Sequence, residues 1–259
     1  MNIVVCVKRV PQIQDVDLEI DKSKRDIRKD NLVYFINEWD NYAIEEAVRL
    51  KEKLGGTVTA ITVGDEDDEE VLRRCLAIGA DKAVRIDPGS LVPDAYVTSR
   101  ILSEIIKGLE YDLILTGVQA DDVNNSMVGI MLAELLGIAH SAVVTGIEPS
   151  GDEAIIRIEL EDGIDEVAKI SLPALLTIQT GINEPRYVSI MGIRKASKKE
   201  LNIKKLEELN LSQDDLMQRT IIEEVYFPPD TEGAEMIEGD PAMIAERIIE
   251  IIKEKGVNL

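Results

Sequence analysis

Apolar and polar positions change rhythm several times along this chain, and each rhythm predicts an element. Ile3–Val7 is a short β-branched run of the kind buried on both faces of a sheet. Asp15, Asp17, Glu19 and Asp21 then alternate with apolar residues, and a charged stretch runs from Lys22 to Asp30. That stretch predicts an exposed hairpin or excursion. Ala43, Ala47, Leu50 and Leu54 recur at steps of three and four, which predicts a helix over Asn41–Leu54 ended by Gly55-Gly56. Further on, strands are predicted at Val58–Val63, Ala83–Ile86 and Leu113–Thr116. Helices are predicted at Glu69–Ile78, Asp94–Ile106 and Asn124–Leu136, with Gly79 and Gly137 as stops. Strand and helix alternate four times. The fold class is therefore α/β, a doubly wound and mostly parallel sheet.

After Ala139 the pattern changes. Ala142–Ile147, Ala154–Leu160, Val167–Ile170 and Ala174–Ile178 are strand-like, with turn signals at Ser150-Gly151 and Asp162-Gly163. They are expected to pair partly antiparallel at one sheet edge. Beyond Asn183 the periodicity collapses. A basic cluster (Arg194, Lys195, Lys198, Lys199, Lys204, Lys205) precedes Pro228-Pro229 and Gly233. A last helix opens with Asp240 as cap and Pro241 in its first turn, and runs through Ile244, Ile248, Ile251 and Ile252. The chain thus divides into an α/β domain over 1–185 and an extended C-terminal arm over 186–259. Such an arm either wraps a partner or folds back on its own domain.

Composition narrows the functional classes. The residues are 45% hydrophobic but only 3% aromatic, so aliphatic side chains must fill the interior, as in a helix-covered parallel sheet. A net charge of −21 argues against nucleic acid and against anionic membrane surfaces; simple solubility accounts for most of it. No apolar stretch is long enough for membrane insertion, and no basic leader precedes the first strand, so a cytoplasmic protein is expected. Cys6 and Cys75 read as separate buried thiols rather than a disulfide or a metal pair.

No catalytic set emerges. His140 is the single histidine and lacks a nucleophile beside it. The informative stretch runs from Gly117 to Gly129, after a buried strand and at the opening of a helix. Backbone N–H groups and the helix dipole make such a junction an anion site, and Asn124, Asn125 and Ser126 can donate to a phosphate. Helix capping by the same Asn and Ser residues is the plainer reading. No G-x-G-x-x-G and no P-loop lysine are present. Asn37, Glu38, Trp39 and Asp40 stand at the entry to the first long helix, where Asn37 or Asp40 could cap it or hold a ribose or phosphate.

Several motifs together resemble the β subunits of electron-transferring flavoproteins. Val7-Lys8-Arg9-Val10-Pro11 is similar to the family's opening, and Ala43-Ile-Glu-Glu-Ala-Val-Arg-Leu-Lys-Glu-Lys53 to its first helix. Leu76-Ala-Ile-Gly-Ala-Asp81, Gly117-Val-Gln-Ala120, Glu161-Asp-Gly163 and Leu172-Pro-Ala-Leu-Leu-Thr177 follow in the family's order. Asn183-Glu-Pro-Arg-Tyr187 and Lys195-Ala196 complete a match that covers roughly residues 3–205.

The resemblance implies a fold of the adenine nucleotide alpha hydrolase-like (Rossmann-like) class, without hydrolytic activity. It implies a heterodimer whose α subunit holds the redox-active FAD, while this chain binds AMP or, in bifurcating members, a second FAD. The pocket it implies comprises Cys6, Asn37, Glu38, Trp39, Asp40, Val63, Gly117, Gln119, Ala120, Asn124, Asn125, Ser126, Met127 and Val128. It also implies a loop at 186–195 that docks onto flavin dehydrogenases, such as acyl-CoA dehydrogenases, through Arg186, Tyr187, Ile190 and Lys195, with Ile190 where an anchoring Leu is usual.

One departure concerns the nucleotide. Ser126-Met127-Val128 replaces the Asn-Gln-Thr of AMP-binding members, and the small Ser126 tilts the reading toward FAD and bifurcation with NADH. Against that, Asp122-Val123-Asn124-Asn125 lacks the Gly and Thr of the bifurcating lead-in. A competing reading is a stand-alone adenine-nucleotide-binding regulator without redox chemistry. An ATP-dependent ligase or sulfurtransferase would need a Gly-rich loop after the first strand, which Val7–Pro11 does not supply.

Overall fold

The computed structural model describes residues 1–14, 16–229, 233–234 and 236–256; Asp15 of the acidic excursion lies outside them. Strand β1 (Asn2–Cys6) covers most of the expected Ile3–Val7 run, and Ile3 to Cys6 are buried on both faces. A small antiparallel ribbon of β2 (Arg9–Pro11) and β3 (Tyr34–Ile36) closes the root of the excursion. Helix α1 (Glu38–Leu54) follows and buries Ala43, Ile44, Ala47, Val48 and Leu50. It begins earlier than the apolar periodicity predicts, because its first turn, Glu38-Trp39-Asp40, precedes the apolar stripe that starts at Ala43. Then come β4 (Thr57–Val63), α2 (Glu69–Ile78), β5 (Lys82–Asp87), α3 (Ala95–Ile106) and β6 (Leu113–Gly117).

Helix α4 (Val128–Leu136) is shorter than predicted. Residues 121–127 form a loop instead of its first turns, and Asn124 and Ser126 adopt positive φ. After α4 the chain makes β7 (Ala139–Ser150), β8 (Glu153–Glu159), β9 (Asp165–Ser171) and β10 (Ala174–Ile178). After Asn183 the chain makes α5 (Ile190–Ala196), β11 (Leu201–Lys205), which joins the sheet beside β5, and α6 (Pro241–Glu254).

The strands form one sheet in the order β11-β5-β4-β1-β6-β10-β7-β8-β9. All neighbours from β11 to β7 run parallel, and β7, β8 and β9 form an antiparallel meander at one edge. The expected antiparallel edge is therefore present, but β10 leaves it and inserts between β6 and β7. Its composition explains the choice. Every residue of β10 is buried, which suits a strand covered on both faces, whereas β8 alternates buried Ala154 and Ile156 with exposed Ile155 and Arg157.

Helices α1 and α2 cover one face of the sheet, and α3 and α4 the other. Beyond β11 the chain behaves in two ways. Leu206, Leu209, Leu211 and Leu216 pack against the α3/α4 side, and Val225 donates its N–H to the Lys24 carbonyl at 2.7 Å. Helix α6, capped by Asp240 as expected, buries none of its residues. Among the described residues no helix is long and apolar enough to cross a membrane.

Candidate functional site

Crossovers from β1 lead outward through β4 to β5, and the chain then returns to place β6 on the other side of β1. Strand order reverses between β1 and β6, so a crevice opens outside their carboxyl ends, where open α/β sheets take ligands. The first turn of α1 reaches into this crevice. Asp40 stitches its two walls: Oδ2 accepts the Lys8 amide at 2.8 Å, just past β1, and Oδ1 accepts the Gly117 amide at 2.9 Å, at the end of β6. Burial pushes the Asp40 carboxyl up to about 7, against the lowering effect of these two bonds, of Asn37 and of the Lys8 charge.

Asn37 ties the same turn to the loop after β6. Its Nδ2 donates to the Gln119 carbonyl at 2.7 Å and its Oδ1 accepts the Asp121 amide at 3.0 Å, while the Asn37 amide donates to the Lys8 carbonyl. The expected capping role is corrected here. Asn37 occupies the N-cap position of α1 but makes no side-chain cap, because its amide group is committed to the loop 82 positions away. Trp39 donates Nε1–H to Gln179 Oε1 at 3.0 Å, which reaches the end of β10. Glu38 is exposed, and its backbone amide faces Asp121 Oδ2 at 3.3 Å.

Cys6 lies on the α3/α4 face below the crevice, its thiol held protonated by burial and by the nearby Asp40 charge. Val63 ends β4 on the same side, half-buried. Gln119 and Ala120 are half-buried at the mouth, and the Ala120 carbonyl accepts the Asn124 amide at 2.8 Å. Asn124, Asn125 and Ser126 are exposed; Ser126 Oγ donates to Gln119 Oε1 at 3.3 Å. Met127 is the N-cap of α4 and forms no side-chain cap, so neither Asn124 nor Ser126 caps this helix. Val128 and Gly129 open it, with Gly129 packed so closely that a Cβ there would stand 2.6 Å from Thr116 Oγ1.

The site thus gathers helix-start amides without a side-chain cap, the Ser126 hydroxyl, two exposed Asn amides and one cation, Lys8. Lys8 Nζ is 2.6 Å from Asp122 Oδ2 across the crevice mouth. This donor set fits the anionic phosphate of a nucleotide. The sequence marks Lys8 only as part of the Val7–Pro11 motif and Asp122 only as part of the Asp122–Asn125 lead-in, and it does not mark Gln179. Two cavities of about 340 and 460 Å³ lie elsewhere, at the amino ends of the strands around Met1 and Asp112 and beside α1 around Arg49 and Ile156. Neither includes a crevice residue. His140 is exposed at the start of β7 and joins no site.

The 186–195 segment stands apart from the crevice. Tyr187 is 94% exposed and Ile190 77% exposed, and Lys195 is exposed near the end of α5. Arg186 instead turns inward to Glu45 and Glu52 of α1. Cys75 is buried in the α1/α2 core, and both thiols are free. Among the described residues no cluster of three or more His, Cys, Asp or Glu is arranged to hold a metal ion.

Residues 28–209, more than half of the chain, match the electron transfer flavoprotein domain. The electron transfer flavoprotein subunit beta of Bacillus subtilis is 38% identical over 99% of both chains. That of Methylophilus methylotrophus is 39% identical over 98% of both. The caffeyl-CoA reductase-Etf complex subunit CarD of Acetobacterium woodii is 33% identical over 99% of this chain and 100% of its own.

Proposed function

The chain belongs to the electron transfer flavoprotein family, and from that membership we propose that it is the β half of a heterodimeric electron carrier that holds an adenine nucleotide in the β1/β6 crevice. Relatives matching nearly its whole length are named as β subunits, which supports an α partner and a carrier role. Bound flavin supplies the redox chemistry, so the chain needs no acid–base set of its own. What its residues do is bind and orient. Asp40 and Asn37 fix the loops after β1 and β6, and Lys8, Ser126 and the α4 amides face the phosphate.

The observation that carries this reading is the junction at the carboxyl ends of β1 and β6, where one carboxylate accepts the amides of both Lys8 and Gly117. On the docking side, the exposed apolar Tyr187 and Ile190 support contact with a flavin dehydrogenase. A second version places FAD rather than AMP in the crevice and lets the dimer split electron pairs from NADH. It is favoured by the small Ser126, and by a relative that forms part of a reductase–Etf complex. Two free, buried thiols suit a reducing compartment, and the cytoplasm is where we place the dimer.

The deciding experiment is the flavin-to-protein ratio of the coexpressed dimer, with released nucleotides identified chromatographically. Two FAD per dimer support bifurcation, and one FAD with one AMP supports a one-flavin carrier. A dimer devoid of flavin sinks both and leaves a nucleotide-binding regulator.

A further inference from the structure

The docking segment leaves the domain at Asn183–Arg186, and this root is tied to one helix. Asn183 Nδ2 donates to the Tyr42 carbonyl at 3.1 Å and to Glu46 Oε2 at 3.0 Å. Arg186 then spends its guanidinium on α1. Nε donates to Glu45 Oε2 at 2.9 Å, Nη2 to Glu45 Oε1 at 3.1 Å and Glu52 Oε2 at 3.0 Å, and Nη1 to Glu52 Oε1 at 2.7 Å. The Arg186 backbone amide adds a bond to Glu45 Oε2 at 3.2 Å. Glu45 is 2% exposed in its side chain and also accepts from Arg49. A guanidinium has five N–H groups, and four of them are used here, so little donor capacity remains for a docking partner.

The far end of the segment is tied separately. Arg73 of α2 donates to the carbonyls of Ala196 and Lys199, and Lys199 Nζ donates to the carbonyls of Leu76 and Ala80. Between these two anchors stand the exposed apolar residues Tyr187, Ile190, Met191 and Ile193.

We propose that Arg186 is a positioning residue, clamped by Glu45 and Glu52 so that the apolar face from Tyr187 to Ile193 is held out at a fixed angle, and that it is not itself a docking contact. The inference rests on the docking reading above. A fork on two carboxylates fixes both the place and the orientation of the chain where it turns away from α1, which a single ion pair would not do. The clamp sits on the same helix whose first turn presents Asn37 and Asp40 to the crevice.

The test uses the coexpressed α/β dimer. Trypsin cleavage after Arg194 and Lys195 reads the looseness of the segment. The KM and kcat for the dimer as acceptor from an acyl-CoA dehydrogenase read its presentation. Arg186→Ala is expected to speed that cleavage by about tenfold, the effect of losing roughly 1.4 kcal/mol of local closure, and to raise KM with kcat and flavin content unchanged. Arg186→Lys, which keeps the charge but loses the fork, is expected to fall between Arg186→Ala and the parent. Cleavage at the parental rate in Arg186→Ala overturns the proposal. Should that variant not fold, Glu52→Gln, on the exposed half of the clamp, carries the same two readings with a smaller increase in cleavage, and no increase overturns the proposal. Ile190→Asp separates the two claims. An unchanged KM in that variant removes the docking reading, while the cleavage rates still decide whether Arg186 positions the segment.

Discussion

The Gly117 amide donates to Asp40 Oδ1 at 2.9 Å, and a methyl group on Gly117 would stand 2.5 Å from that same oxygen. It would also lie 2.6 Å from Trp39 Cβ. The end of β6 can therefore approach the first turn of α1 this closely only if position 117 carries no side chain. Gly117→Ala must push Asp40 off its two amides, which overpacks a filled junction at a cost of about 1–3 kcal/mol. The unfolding free energy of the dimer in urea should fall by that amount, lowering the midpoint, and any adenine nucleotide recovered from this subunit should fall with it. An unchanged midpoint with full nucleotide content would remove Asp40 from its bridging role.

Asp40 also gives the protein a pH signature. Unfolded, this carboxyl titrates at its ordinary value of 3.8, whereas burial raises it to about 7 in the fold. Between those values the folded state holds a proton that the unfolded state has lost. Its contribution to stability is complete below the lower value and is lost as pH rises through the upper one. The full swing is roughly 4 kcal/mol as an upper bound. Asp40→Asn cannot titrate, so the stability of the parent relative to this variant should decline from about pH 4 to about pH 7. Denaturant unfolding of both dimers across that window measures it, and a flat difference contradicts the assignment.

How far the sequence revealed this arrangement depends on the range of each interaction. The alternation up to α4 was legible because strand and helix periods are local, and α6 because Asp240 and Pro241 mark its start. The insertion of β10 beside β6 was not, since a fully buried strand does not name its neighbours. The start of α4 was misplaced because Asn124 and Ser126 look like caps, yet their positive φ puts them in a loop. At the candidate site, Gly117 and Gln119 stand in a family motif, and Asn37 and Asp40 stand out by their place at the entry to α1. Their pairing was not legible, for Asp40 meets Gly117 across 77 positions and Arg186 meets Glu45 across 141. Contacts at that separation leave no periodic trace.

Lys8 and Asp122 face each other over the crevice, with the Lys8 side chain 45% exposed and that of Asp122 24% exposed. A pair so wetted contributes under about 1 kcal/mol to stability, so Lys8→Met should unfold close to the parent. Nucleotide binding is a different matter, because a phosphate entering the crevice would compete with Asp122 for the ammonium. Lys8→Met is expected to weaken nucleotide affinity about tenfold, and Asp122→Asn to leave it unchanged or strengthen it, since it frees the cation. Titration calorimetry on nucleotide-stripped dimer compares them. Equal losses in both variants would mean that the pair only braces the loop.

Helix α6 poses the plainest energetic question. It is 14 residues long and well capped, yet none of its residues is fully buried and Met243, Ile248 and Ile249 are exposed. A helix of that length is marginal in water without tertiary packing, so its apolar side needs a covering surface. In the heterodimer proposed above, the α subunit is the surface expected to cover it. Replacing both Ile248 and Ile249 with Asp removes two aliphatic side chains from that contact and adds two charges to it, which should weaken the dimer by about 3 kcal/mol or more. The β chain alone should keep its unfolding midpoint, because Ile248 and Ile249 are exposed within it. Sedimentation of the purified dimer over a dilution series gives the dissociation constant. A constant equal to the parent's would show that α6 does not face the α subunit.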